Sequence, residues 1–287
     1  MKKLLFLFGI LLMIASCSPS SKKNEEVPTV TVTIEPLRFF ANAIAGDKFN
    51  IVSMVPSGSS PETYDPTPQQ LVTLNKSTAY FKIGYIGFEQ TWMEKLKANN
   101  PSLKIYDTSI GVNLIHEEEE IHGDHHHEGG VDPHIWNSTV NANIISDNIY
   151  KALCELSPKN KEYFSHNLDS LKEIINQTNQ EIKKLLVNAD STFLIYHPAL
   201  SYYAQEYGLN QVCIEEGGKQ PSPASLKKLI ESCRKEKPEV IFIQKEFDVR
   251  NAELIANELK LKIVTINPLS YDWRKEMIEP AKALSKK

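Results

Sequence analysis

The sequence predicts an α/β fold of two wound parallel-sheet lobes joined by one long rigid helix. Three observations carry that expectation. Short β-branched runs alternate with segments of helical period in both halves of the chain, the pattern of a mostly parallel sheet covered by helices. Between the halves, residues 159–187 contain neither Gly nor Pro and repeat Leu and Ile at helical spacing, about eight turns at 3.6 residues each. The 287 residues suffice for two domains of ordinary size.

The first elements concern the compartment. Lys2-Lys3, an apolar stretch over 4–14 and the small pair Ala15-Ser16 define a signal peptide over 1–16, too short to span a bilayer. Ile14-Ala15-Ser16-Cys17 resembles a bacterial lipobox, in which the cysteine becomes the lipidated first residue. Acyl chains on Cys17 would hold the protein to a membrane surface without crossing it. Residues 17–27 then form the lipidated cysteine and a polar tether. No later apolar run is long enough to span a membrane. The formal net charge of −4, more negative once Lys2 and Lys3 leave with the leader, argues against nucleic acid, which needs a concentrated positive field.

The N-terminal lobe is expected over 28–157. TVTVTI at 29–34 alternates as a strand, and 36–45 carries helical spacing that Gly46-Asp47 ends. A strand at 49–55 leads into 56–68, where four prolines and a glycine fix a long irregular loop of the kind that carries binding residues. A helix at 69–75, a strand at 79–84, a helix at 88–98 and a strand at 103–106 follow. After a His-rich loop at 116–130 comes a helix at 141–156. The linking helix is placed at 158–188 and the C-terminal lobe at 189–287. There the wound pattern restarts, with strands at 192–196, 211–214, 240–244 and 262–266 and helices at 199–207, 224–236, 249–259 and 271–284. Cys154, Cys213 and Cys233 match no zinc spacing; Cys154 reads as a buried thiol, and pairing of Cys213 with Cys233 is left open.

Six of the eight histidines fall within 116–136. Imidazole is the commonest metal ligand, and such a tract reads compositionally as metal binding. His116, His122, His125, His126 and His127 form an accessory collecting loop; its plain alternative is a solvated charged insertion. Beyond Gly129-Gly130, the segment Val131-Asp132-Pro133-His134-Ile135-Trp136 sets a single histidine behind a proline, in a fixed rather than floppy setting. His197 occupies a comparable place in the second lobe, at a strand end before Pro198. Each alone could be a hydrogen-bonded loop histidine.

Together with PSGSSPETYDPTPQQL at 56–71, DPHIW at 132–136, YHPALSYYAQEYGL at 196–209, GGKQPSP at 217–223 and IFIQKEF at 241–247, these histidines carry a resemblance over nearly the whole chain. It resembles the zinc- and manganese-binding solute-binding lipoproteins of bacterial ABC importers, in the zinc-type branch with a His-rich loop. The resemblance implies a metal in the cleft between lobes, with His134 and His197 at ligand positions. Glu62 stands where the family usually has a histidine, and Asn267 where it usually has an aspartate before Pro-Leu. Glu62 can still ligate zinc through oxygen; the neutral amide of Asn267 is a poorer ligand, so water, Glu246 or a loop histidine could serve as the fourth.

Zn²⁺ is the implied cargo, with Mn²⁺ as the alternative, because imidazole suits zinc and the family's manganese binders tend to carry Glu at the His197 position. The implied partners are an ABC permease and its ATPase, with the protein exported, monomeric and lipid-anchored on the periplasmic or cell-surface side. The rival reading is a secreted zinc hydrolase built on His134, His197 and Glu62. No HExxH and no Ser/His/Asp or Cys/His nucleophile arrangement occurs. Glu215-Glu216 could supply its base, but an exposed turn accounts for that pair equally well. No enzyme is expected.

Overall fold

The structure is a computed structural model and describes residues 27–116, 121–122, 125–126, 130–215, 219–246 and 250–286, the backbone alone at 121–122 and 125–126. The expected leader, Cys17 and nearly all of the tether lie outside the described residues.

The first sheet is fully parallel, with order β2-β1-β3-β4, built from β1 (Thr29–Val32), β2 (Asn50–Ser53), β3 (Ala79–Lys82) and β4 (Lys104–Asp107). Its crossovers are α1 (Glu35–Ala45), α2 (Pro68–Asn75) and α3 (Gly87–Asn99). The irregular loop before α2 ends in a capping box. Thr67 Oγ1 accepts from Gln70 N, the Gln70 side chain accepts from Thr67 N, and two orphan donors are satisfied reciprocally. Gln70 Nε2 also donates to Met54 O at 2.6 Å, which ties the loop's far end to the strand it left. Two short strands, β5 (Ile121–His122) and β6 (His125–His126), pair antiparallel before α4 (Thr139–Leu156).

The long helix is α5 (Lys161–Leu186), 26 residues, after a single 3₁₀ turn at Pro158–Asn160. Its Phe164, Leu168, Leu171, Ile175 and Ile182 are buried in one stripe, the spacing that amphipathic packing requires. It packs against α1, α4 and α9 (Trp273–Leu284). Its stiffness is therefore that of a helix held along its length by both lobes. The second sheet is also parallel, order β10-β9-β7-β8, from β7 (Thr192–Ile195), β8 (Asn210–Cys213), β9 (Val240–Gln244) and β10 (Lys262–Ile266), with α6 (Ser201–Tyr207), α7 (Pro223–Glu236) and α8 (Arg250–Leu259) as crossovers. One apolar core runs from the first sheet through α5 to Phe193 and Phe242 of the second. A smaller core, including Leu194, Ile241 and Ile255, lies with α7 and α8. Cys154 and Cys233 are free thiols, Cys154 only partly buried, so no Cys213–Cys233 bridge forms; Cys213 Sγ lies 3.2 Å from Tyr196 O. Among the described residues no helix is long and apolar enough to cross a membrane.

One buried carboxyl closes the first sheet. Glu89 on α3 accepts from Ile83 N at 2.8 Å and from Thr33 Oγ1 and Gly84 N. Gly84 has φ +108°, open to glycine without strain. Burial raises the Glu89 carboxyl to about 7, against the opposing pull of these bonds and of Lys82. A carboxyl raised in the folded state adds stability that is complete below its unfolded value of 4.5 and is lost as pH climbs through about 7. Glu89→Gln mimics the protonated form at every pH. Thermal or urea unfolding from pH 4.5 to 8 should show wild type losing up to about 3 kcal/mol relative to the variant; parallel pH profiles would contradict it.

Candidate metal centre

In each sheet the winding reverses between two central strands, β1 and β3 in the first and β7 and β9 in the second. Ligands of open α/β sheets bind outside the strand carboxyl ends at such points. The residues expected to ligate metal come from these ends. Glu62 follows β2, His134 lies between β4 and α4, and His197 follows β7. All three line one cavity of about 30 Å³, joined by Trp136, Gln244, Glu246, Pro268 and Leu269.

His134 is 7% exposed. The Asp132 carboxylate holds it twice, with Oδ1 accepting from His134 N at 2.8 Å and standing 2.9 Å from Nδ1. Burial tends to raise the Asp132 carboxyl, but the bonds from the His134 ring and backbone and from Ser201 outweigh it and hold the group below the usual carboxylate range. His197 is held the same way by Glu215, whose Oε2 lies 2.7 Å from its Nδ1. Gln244 fixes the His197 backbone, with Nε2 donating to His197 O at 2.7 Å.

The Glu215 pairing corrects the exposed-turn reading. Ile214 N donates to Ile195 O and Glu215 N to Tyr196 O, so the β7–β8 ladder continues past Cys213 and carries the glutamate beside His197, its side chain 8% exposed. Glu216 lies outside the described residues.

An ionised carboxylate only accepts. With both carboxylates ionised and both rings neutral, each Nδ1 donates and each Nε2 presents a lone pair. The two Nε2 atoms face each other at 3.3 Å, with ring centroids 5.1 Å apart. Two such lone pairs repel unless a proton or a cation stands between them. Glu62 is an exposed residue lying against the start of α3. Phe88 N donates to Pro61 O at 3.0 Å, and a Cβ on Gly87 would stand 2.6 Å from Glu62 O and 3.1 Å from its Oε2. Only glycine allows that approach, which leaves the carboxylate near a helix N-terminus, where negative charge is favoured.

Asn267 follows β10 and directly precedes the cavity-lining Pro268. Its N donates to Glu276 at 2.9 Å, and its Oδ1 is buried with no hydrogen-bond partner among the described residues. Among those residues, no three His, Cys, Asp or Glu side chains stand together as a finished ligand set; the structure brings the two imidazoles together and places Glu62 and Glu246 on the same cavity. His116 is exposed and pairs with Val131 at the root of the His-rich loop. His127 and the side chains of His122, His125 and His126 lie outside the described residues. Sequence reading missed Asp132, Glu215 and Gln244 as supports. Only Gln244 left a signal, a polar residue closing the apolar run Val240-Ile241-Phe242-Ile243.

Residues 30–283 match the family model described as zinc-uptake complex component A, periplasmic (ZnuA). The manganese ABC transporter substrate-binding lipoprotein PsaA of Streptococcus pneumoniae is 29% identical over 270 residues, 90% of this chain and 84% of that protein. The iron ABC transporter substrate-binding lipoprotein MtsA of Streptococcus pyogenes serotype M1 is 28% identical over 276 residues, 90% of this chain and 85% of that one. A crystal structure of ZnuA aligns with a TM-score of 0.83 at 33% identity, over 90% of this chain and 97% of the other. The hydrolase alternative falls with these matches. The chain belongs to the ZnuA family and is a substrate-binding component of a metal ABC importer, not an enzyme.

Proposed function

We propose that the protein captures Zn²⁺ between His134 and His197 and passes it to an ABC permease driven by its ATPase. The observation that carries this reading is the 3.3 Å separation of the two Nε2 atoms. Zinc–nitrogen bonds of 2.0–2.1 Å at the tetrahedral angle set two ligand nitrogens about 3.3–3.4 Å apart. Carboxylates behind both imidazoles are the usual outer support of a histidine-bound metal. Glu62 supplies the third ligand, and Asn267 Oδ1, Glu246 or water the fourth. The matches favour a metal without choosing among zinc, manganese and iron; paired imidazoles favour zinc over manganese.

The remaining parts of the reading follow the sequence. The leader is 1–16, and Cys17 with the tether to residue 27 anchors the protein by lipid on the outer side of a bacterial membrane. The lobes are 28–157 and 189–287, joined by the helix region 158–188, and the chain acts as a monomer. His116, His122, His125, His126 and His127 raise the local zinc concentration at the cleft.

Calorimetric titration of metal-stripped protein lacking its leader should show one tight Zn²⁺ site that binds Mn²⁺ less well and disappears in the His134→Ala/His197→Ala double variant. Equal or tighter manganese binding would reassign the cargo, and no tight site in wild type would remove the reading. Glu215→Gln should weaken zinc binding on the order of tenfold or more while leaving the unfolding temperature of the metal-free protein nearly unchanged; undiminished affinity would deny Glu215 its supporting role. Deleting residues 116–128 should preserve the tight site yet slow uptake at limiting zinc, and unchanged uptake would strip the loop of its function.

A further inference from the structure

We propose that Tyr202 is a positioning residue that sets the separation of the two imidazoles, acting from the second lobe through Asp132 on His134. The proposal rests on the zinc-capture reading and adds a residue to it.

Tyr202 lies in the first turn of α6, five residues after His197, and is 2% exposed. Its hydroxyl is used in both directions, donating to Asp132 O at 2.8 Å and accepting from Ile115 N at 3.1 Å. Those two residues are themselves joined, Asp132 N donating to Ile115 O at 2.9 Å, beside the bridge from His116 to Val131. The phenol of the second lobe thus grips both backbones of the stem that precedes His134. Asp132 then transmits that grip, because its Oδ1 takes both the backbone N and the ring Nδ1 of His134.

The path from one imidazole to the other is short. It runs along the chain from His197 to Tyr202, crosses one hydrogen bond to Asp132, and ends on the His134 ring. A hydroxyl that neither touches the cavity nor ligates metal therefore governs where one ligand stands relative to the other. Phenylalanine would fill the same space and remove both bonds, leaving a donor and an acceptor without their partner.

The test compares wild type, Tyr202→Phe and Tyr203→Phe in leaderless full-length protein. Tyr203 is the buried neighbour, packed on Tyr207, and serves as the control for loss of a phenol from the same helix. Zn²⁺ affinity is measured by competition with a chromogenic chelator, and the visible ligand-field spectrum is recorded with Co²⁺ in place of zinc. Tyr202→Phe should lose about ten- to hundredfold in affinity, as outer-shell changes do, and should shift the Co²⁺ bands, while Tyr203→Phe changes neither. Wild-type affinity and spectrum in Tyr202→Phe would overturn the proposal. So would equal losses in both variants, which would mark a packing effect. If Tyr202→Phe does not fold, 3-fluorotyrosine at position 202 keeps the shape and alters only the hydroxyl's bonding strength; an unmoved affinity and Co²⁺ spectrum would then overturn it. Wild type that binds no zinc would instead refute the functional reading.

Discussion

The cleft depends on a buried segment that cannot satisfy itself. Residues 132–138 have no regular structure before α4 begins, yet Asp132, His134, Asn137 and Ser138 are all buried. Buried polar groups must be paired, and the second lobe supplies the partners. Tyr202 serves Asp132 O, Trp273 Nε1 serves Trp136 O, Pro268 O takes Trp136 Nε1, and Ala199 O takes Asn137 Nδ2. Glu206 of α6 accepts from Thr139 N at 2.8 Å and so caps the first turn of α4 from across the interface. Each such group, if stripped of its partner while buried, would cost roughly 1–3 kcal/mol. Wide separation of the lobes is thereby disfavoured, and α5, packed against both, adds to the restraint. On the zinc-capture reading, exchange of the ion proceeds by small displacements at the cavity mouth rather than by a large hinge opening.

The same interface explains what could be read from sequence and what could not. α5 was legible because a stripe from Phe164 to Ile182 has one period and no breaker. The parallel sheets were legible because short apolar runs such as Val240-Ile241-Phe242-Ile243 alternate with helices. His134, His197 and Glu62 were legible as candidates through motif and chemistry, and all three line one cavity. Glu215 was hidden because Glu-Glu-Gly-Gly composition signals a turn, whereas the ladder of β8 runs on for two residues. Tyr202 was hidden for a deeper reason. Its partners lie 70 and 87 residues away, and nothing local in YHPALSYY distinguishes it from Tyr203, whose ring packs on Tyr207.

Charge sets the character of the site. With Glu62 as a ligand, a divalent ion and two neutral imidazoles would leave the inner site net positive. Asp132 and Glu215 stand directly behind those imidazoles and reverse that sign. They do so through the rings, so the carboxylates need not compete for coordination positions and the imidazoles become better donors. The arrangement strengthens nitrogen ligation specifically. On the zinc-capture reading, a hard oxygen-seeking cation would gain less from it than zinc, which would offset the pull toward manganese of a Glu62 ligand.

Asn267 bears on the same balance. An acceptor oxygen buried without a partner is costly, and the position is held in place from behind by Glu276 on α9. A carboxylate there, buried and facing the same surroundings, would need a cation at all times to remain charged. The neutral amide avoids that demand. Its cost is one buried acceptor oxygen without a partner among the described residues, smaller than the cost of an unpaired buried charge.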